Sequence, residues 1–103
     1  MRIISKRRLR EFWWSRADAR TPLIDWYAIV DEAHWRNPAD VKATFGKNVD
    51  FVQVKSGNTV GVFNIHGNKY RLIAAIHYDH PRVFVLRVLT HLEYDAEKWK
   101  REL

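Results

Sequence analysis

The chain contains no cysteine, so disulfides and thiolate metal ligands are excluded, a composition that suits a reducing compartment. No apolar run approaches the roughly 20 residues that a membrane helix needs. The opening Met1-Arg2-Ile3-Ile4-Ser5-Lys6 carries no apolar core of a secretory signal. A soluble, cytoplasmic protein with no membrane partner is expected. Glycine is scarce, and Gly57 and Gly67 fall in turn sequences without the spacing of a phosphate-binding loop. His77-Tyr78-Asp79-His80 has a spacing that suits a metal, but third and fourth ligands are missing from the sequence around it. No metal and no cofactor are therefore expected.

No repeat, low-complexity tract or linker interrupts the 103 residues, so a single domain spanning 1–103 is expected. A composition of 47% hydrophobic and 29% charged residues is that of a globular chain and not of a disordered one. The net charge is +6, and it is unevenly placed. Residues 1–20 hold Arg2, Lys6, Arg7, Arg8, Arg10, Arg16 and Arg20 against only Glu11 and Asp18. Such a patch suits nucleic acid through counterion release. A solvated helix face and an acidic protein partner fit the same charge.

The hydrophobic pattern predicts a short strand over Met1 to Ser5, with Ser5 as the cap of a helix starting at Lys6. Leu9, Phe12 and Trp13 then lie on one stripe beneath a basic surface. Thr21-Pro22 predicts a second helix start, with Leu23, Trp26, Tyr27, Val30, Ala33 and His34 at helical spacing and Asn37-Pro38 as its stop. Residues 37–48 read as a connection with a short helical turn from Ala39 to Thr44. Four strands follow, at Phe51–Val54, Thr59–Ile65, Lys69–Tyr78 and Arg82–Thr90, with short turn sequences between them. Residues 91–103 return to helical character. Segregated helices and strands make the fold class α+β: a small antiparallel β-sheet packed by an N-terminal helical hairpin, with a short C-terminal helix.

Alternation on the last two strands separates two faces. Tyr70, Leu72, Ala74, Ile76 and Tyr78, with Phe84, Leu86 and Val88, are expected beneath the hairpin. Arg71 and His77, with Val83, Val85, Arg87 and His91, are expected on the other face. A guanidinium is rarely buried without a partner, so two arginines on adjacent strands beside histidine suggest a convergent cationic site. Surface salt bridges or apolar stems lying over the sheet are the plainer reading. The tryptophans mostly follow helix periods and read as core, whereas Trp14 and Trp35 stray from the stripes and would form a protein-binding patch if exposed.

The segments Val62-Phe63-Asn64-Ile65, Gly67-Asn68-Lys69-Tyr70-Arg71-Leu72-Ile73 and Arg87-Val88-Leu89-Thr90-His91-Leu92-Glu93-Tyr94-Asp95 resemble the HigB family of toxins. Ile3-Ile4-Ser5-Lys6 and the stretch from Asn37 to Phe45 are also similar, in the family's order, and the Thr90-His91-x-Glu93-Tyr94-Asp95 end is the most specific part. The resemblance implies a RelE-like fold and metal-independent endonucleolytic cleavage of mRNA, in many relatives on the ribosome. It also implies a HigA-type helix-turn-helix antitoxin as partner, through which alone the complex contacts DNA.

In the implied chemistry the substrate's 2′-hydroxyl attacks the adjacent phosphorus. That needs a base, an acid and cations for the phosphorane charge. Arg71 and Arg87 suit the cationic role, because a guanidinium forks onto phosphate and stays charged. His91 suits acid or base, and Tyr94 suits positioning a proton or stacking on a base. Lys69, Lys98, Arg7, Arg8 and His77 are the expected RNA contacts. His91 as a simple helix cap and Tyr94 as a packing residue compete with these roles. A non-catalytic RNA- or ribosome-binding module on the same fold is the alternative reading, and a structural partner protein is a third.

Overall fold

The computed structural model describes residues 1–103. In chain order the elements are β1 (Arg2–Ile4), α1 (Lys6–Ser15), α2 (Arg20–Glu32), α3 (Pro38–Phe45), β2 (Val49–Gln53), β3 (Thr59–Ile65), β4 (Tyr70–His77), β5 (Arg82–Thr90), α4 (His91–Asp95) and α5 (Lys98–Glu102). The five strands form one sheet in the order β1-β5-β4-β3-β2. β2 to β5 are an antiparallel meander, and β1 joins β5 in parallel. The result is an α+β sheet with helices on both faces, compatible with a RelE-like fold.

Period-2 alternation gives the sheet two apolar faces, and each is covered by a different part of the chain. Under the α1–α2 hairpin, Leu9, Phe12, Leu23, Trp26 and Val30 pack on Phe63, Ile65, Tyr70, Leu72, Val83 and Val85. Phe63 is fully buried and meets both Trp26 and Phe45 edge-on, with ring centres 5.5 and 4.9 Å away. On the opposite face Val54, Val60, Val62 and Ile73 receive Trp99 of α5. That second, smaller core ties the C-terminal segment to the sheet.

Several local expectations are corrected. Ser5 precedes α1, but its side chain caps nothing; its backbone is left-handed (φ 75°) and its carbonyl accepts from Arg8 N–H at 2.9 Å. The chain has to swing sharply out of β1, and backbone bonds satisfy that turn. α2 starts at Arg20, running straight on from a 3-10 turn at Ala17–Ala19, so Thr21 is inside the first turn and not at the cap. Pro22 is tolerated there because first-turn N–H groups have no intrahelical partner. Asn37-Pro38 is a helix start and not a stop: the Asn37 side chain accepts from Asp40 N–H at 3.0 Å, and α3 runs on to Phe45. His34 lies beyond the end of α2 and is exposed. The C-terminal segment is two short helices, broken at Glu97, whose φ is 60°.

The largest correction concerns β5. Ile73 pairs with Arg87 and Ala74 with Val85, so Leu86 is an extra, unpaired residue. This bulge inverts the alternation on one side of it. Val83 and Val85 therefore face the hairpin, and Leu86 joins the opposite core. Arg87 keeps its place opposite Ile73, on the face of Arg71.

Candidate active site

Arg71 is the one buried charged residue, with 8% of its surface exposed. Its strand position sets it beside Asn64 of β3 and points it away from the hairpin. Nη1 donates to the carbonyls of Asn68 (2.9 Å) and Tyr70 (3.2 Å), and Nη2 to the Asn68 side-chain oxygen (3.4 Å). Its guanidinium carbon lies 5.3 Å from the Tyr94 ring centre. No carboxylate pairs with it. A desolvated cation held only by neutral dipoles and a ring is costly unless an anion joins it.

His91 converges on the same carbonyl. Its Nδ1 lies 3.0 Å from the Asn68 oxygen, and its Nε2 lies 2.9 Å from the Asp95 carboxylate. α4 positions both His91 and Tyr94 through a capping box. The Thr90 hydroxyl accepts from Glu93 N–H at 3.2 Å, and the Glu93 carboxylate accepts from Thr90 N–H at 2.9 Å. Tyr94 is braced from behind by buried Trp99, stacked at 5.3 Å, whose indole N–H donates to the Tyr94 carbonyl at 3.0 Å. The concavity in front of Arg71 and Tyr94 is lined by Lys42, Lys47, Asp50 and Asn64.

The other expected site residues lie elsewhere. Arg87 shares the face of Arg71 but opens onto a separate cleft beside α1, together with Arg8. The expected convergence of both arginines on one concavity is thus replaced by two sites, because the bulge at Leu86 and the short β1 leave Arg87 at an open edge. Lys69 is held by Asp18, from the turn between α1 and α2, and Tyr70 donates to the same carboxylate at 2.6 Å. His66 sits 3.9 Å from that carboxylate. The Lys69 ammonium, and then the Tyr70 hydroxyl, hold the Asp18 carboxyl below its ordinary range. Asp18 in turn raises the Lys69 ammonium through their hydrogen bond; the separate hydrogen bond from Tyr70 to Asp18, with burial, raises the Tyr70 phenol. Arg7 is exposed and paired with Glu11 at 2.6 Å, and Lys98 is exposed at the start of α5. His77 lies six residues along β4 from Arg71, about 20 Å at strand rise. There it meets Phe84 edge-on. No three His, Asp or Glu side chains are grouped to hold a metal ion. Trp35 is buried and donates to Thr44, which leaves Trp14 alone at 89% exposure.

Sequence reasoning did not find Asn68, Asp95, Lys42 or Lys47 as site residues. Asn68 works through its main-chain oxygen, which no side-chain pattern reports, and the two lysines come from a segment read as a connection.

Residues 19–97 match the family of HigB toxins, described as the RelE-like toxic component of a toxin–antitoxin system. The chain belongs to this HigB toxin family. Arg71, Arg87, His91 and Tyr94 all lie within the matched span, whereas α1 and its basic face precede it. The mRNA interferase HigB of Escherichia coli O6:H1 is 30% identical over 95 residues, covering 92% of this chain and 89% of that protein. The mRNA interferase toxin HigB of Escherichia coli strain K12 and the mRNA interferase HigB of Shigella flexneri are each 24% identical over 95 residues, covering 92% of this chain and 88% of theirs. No helix of this HigB-family chain is long and apolar enough to cross a membrane.

Proposed function

We propose that this HigB-family chain is an endoribonuclease that cuts mRNA, with Arg71, His91 and Tyr94 as its catalytic group. One observation carries the reading: Arg71 is buried, without a carboxylate, at the wall of an open concavity. A guanidinium stays charged at any working pH, so the missing counter-charge is an anion brought by a ligand. Three of its five N–H groups are bonded to the chain, and the remaining two are left for phosphate oxygens.

The step is an in-line displacement within the RNA. A base takes the proton of the 2′-hydroxyl, and that oxygen attacks the adjacent phosphorus. The bond from phosphorus to the 5′-oxygen breaks, and an acid protonates the leaving oxygen. The products are a 2′,3′-cyclic phosphate and a 5′-hydroxyl, and the reaction needs no metal. Arg71 stabilises the charge that gathers on the phosphorane oxygens. The Asn68 carbonyl fixes the His91 ring by accepting from Nδ1–H. Substrate displacing the Asp95 carboxylate then frees Nε2 to move the proton. With Trp99 stacked on its ring and Arg71 against it, Tyr94 keeps its hydroxyl for the other proton.

As a toxin of this family the chain is held silent by an antitoxin, which we assign to the helix-turn-helix HigA type. Ribosome-bound mRNA is the proposed substrate and the cytoplasm the proposed compartment. Induced expression tests the proposal: growth arrests and transcripts shorten, and Arg71→Ala or His91→Ala relieves both while the protein stays folded. Harmless expression of the unaltered chain, with messages left whole, assigns it instead to RNA binding without cleavage.

A further inference from the structure

A second group of arginines lies at the edge of the sheet, apart from Arg71. β1 pairs with β5 only as far as Phe84, and beyond it α1 packs along the exposed edge. Between them is an open cleft of about 260 Å³ lined by Arg8, Glu11, Phe12, Arg16, Arg87 and Val88. Arg16 is half-buried, with its guanidinium carbon 4.7 Å from the Phe12 ring centre. Arg87 is also half-buried and gives one N–H to the carbonyl of Leu86, the bulged residue, at 2.8 Å. Arg8 is exposed. The only acid lining the cleft, Glu11, is bonded to Arg7 instead. Three arginines thus border one cleft, and none of them is in an ion pair.

Like charges gathered in this way repel, and an anion between them relieves the repulsion. Arg16 is packed on an aromatic ring and Arg87 is tied to a carbonyl, so both forks are partly fixed before any ligand arrives. We propose that the Arg8–Arg16–Arg87 cleft is a phosphate subsite that grips an RNA backbone away from the scissile bond. The inference rests on the RNA reading of the Arg71 site and extends it. Arg87 stands opposite Ile73, so it is two residues along and one strand across from Arg71, about 7 Å in one direction and about 5 Å in the other. A backbone seated at Arg71 therefore reaches the cleft within a short run of nucleotides. Three arginines, and no lysine, give bidentate phosphate contacts, and an open cleft admits a polymer where a closed pocket would not. The phosphates belong either to the substrate strand or to ribosomal RNA.

The test uses the full chain and an uncleavable 2′-O-methyl oligoribonucleotide, with binding followed by fluorescence anisotropy across a salt series. Arg8→Ala/Arg16→Ala/Arg87→Ala is expected to bind about tenfold or more weakly, with the slope of log K against log salt reduced by about 0.7 for each phosphate that the variant no longer neutralises. Arg16→Lys/Arg87→Lys, which keeps the charge but removes both guanidinium forks, is expected to weaken binding with the salt slope retained. Loss confined to binding of purified ribosomes also supports the subsite and names ribosomal RNA as the source. Unaltered oligonucleotide and ribosome binding in both variants, in a protein that still cuts RNA, overturns the subsite and leaves the Arg71 reading intact. A wild-type chain that neither binds nor cuts RNA overturns the reading beneath it.

Discussion

The Arg71 guanidinium sits against the ring of Tyr94, 5.3 Å from its centre, and the same ring is stacked on Trp99. Tyr94 thereby links Arg71 to the small core that holds the C-terminal helices. Tyr94→Phe separates packing from chemistry. The ring remains, so the melting temperature is expected within one or two degrees of wild type, while the cleavage rate falls on the order of 100-fold. Tyr94→Ala is expected to lower both stability and rate, because it removes the ring that Trp99 and Arg71 share. Thermal melts and single-turnover cleavage of a defined RNA check the pair.

Thr90 acts one step further back. Its hydroxyl and the Glu93 carboxylate close the start of α4, the helix that carries His91 and Tyr94. Thr90→Ala is expected to cost about 1 kcal/mol of stability. For a chain of this size that is a drop of roughly 4–8 °C in melting temperature. Cleavage is expected to fall more than the lower stability explains, since the helix is five residues long and the capping box sets the direction of the turn that carries His91. Thr90→Ser, which restores the hydroxyl, is expected to recover both.

The Asp18–Lys69–Tyr70 contact joins the turn between the helices to the strand that carries Arg71. The Asp18 carboxyl is held below its ordinary value of 3.8. A depressed carboxyl contributes stability above its unfolded value and loses it as pH falls through the folded one. Lys69 and Tyr70 are raised above 10.5 and 10.0, so their share is present below those values and is lost as pH rises through the folded ones. Wild type is therefore expected to exceed Asp18→Asn in melting temperature across neutral pH. The gap should close once pH drops well below 3.8 and again in strong alkali. A gap that persists unchanged at low pH contradicts the role given to the Asp18 charge.

Trp14 projects from α1 at 89% exposure and packs on nothing that its removal would open. Trp14→Ala is expected to leave stability within about 0.5 kcal/mol. A large aromatic with no partner in its own chain suits docking of the proposed antitoxin. Calorimetric titration of Trp14→Ala with the proposed HigA-type antitoxin is expected to show affinity reduced tenfold or more. Unchanged affinity places the docking surface elsewhere.

Much of this architecture is legible in the amino-acid order. β3 and β5 begin and end where the turn residues on either side place them. The bulge at Leu86 is not legible. An inserted residue looks like continued alternation in a run such as Val83-Phe84-Val85-Leu86, where every side chain is apolar. Asn37-Pro38 carries the residues of both a helix stop and a helix start; in the fold Asn37 caps α3 through Asp40 N–H, and Val41 of that helix is buried in the core. At the site, Arg71, His91 and Tyr94 stand out through their types and through family likeness. Their common anchor, the Asn68 carbonyl, is a backbone atom, visible only once the turn between β3 and β4 is folded beside α4.

The most direct test is end-group analysis of RNA cut by the purified chain, alone and with ribosomes, beside its Arg71→Lys variant. The account predicts 2′,3′-cyclic phosphate and 5′-hydroxyl ends from the wild type. It also predicts a rate at least about 100-fold lower in a variant that keeps the charge but not the fork. Ends of another chemistry, or an Arg71→Lys protein that cuts at the wild-type rate, would contradict it.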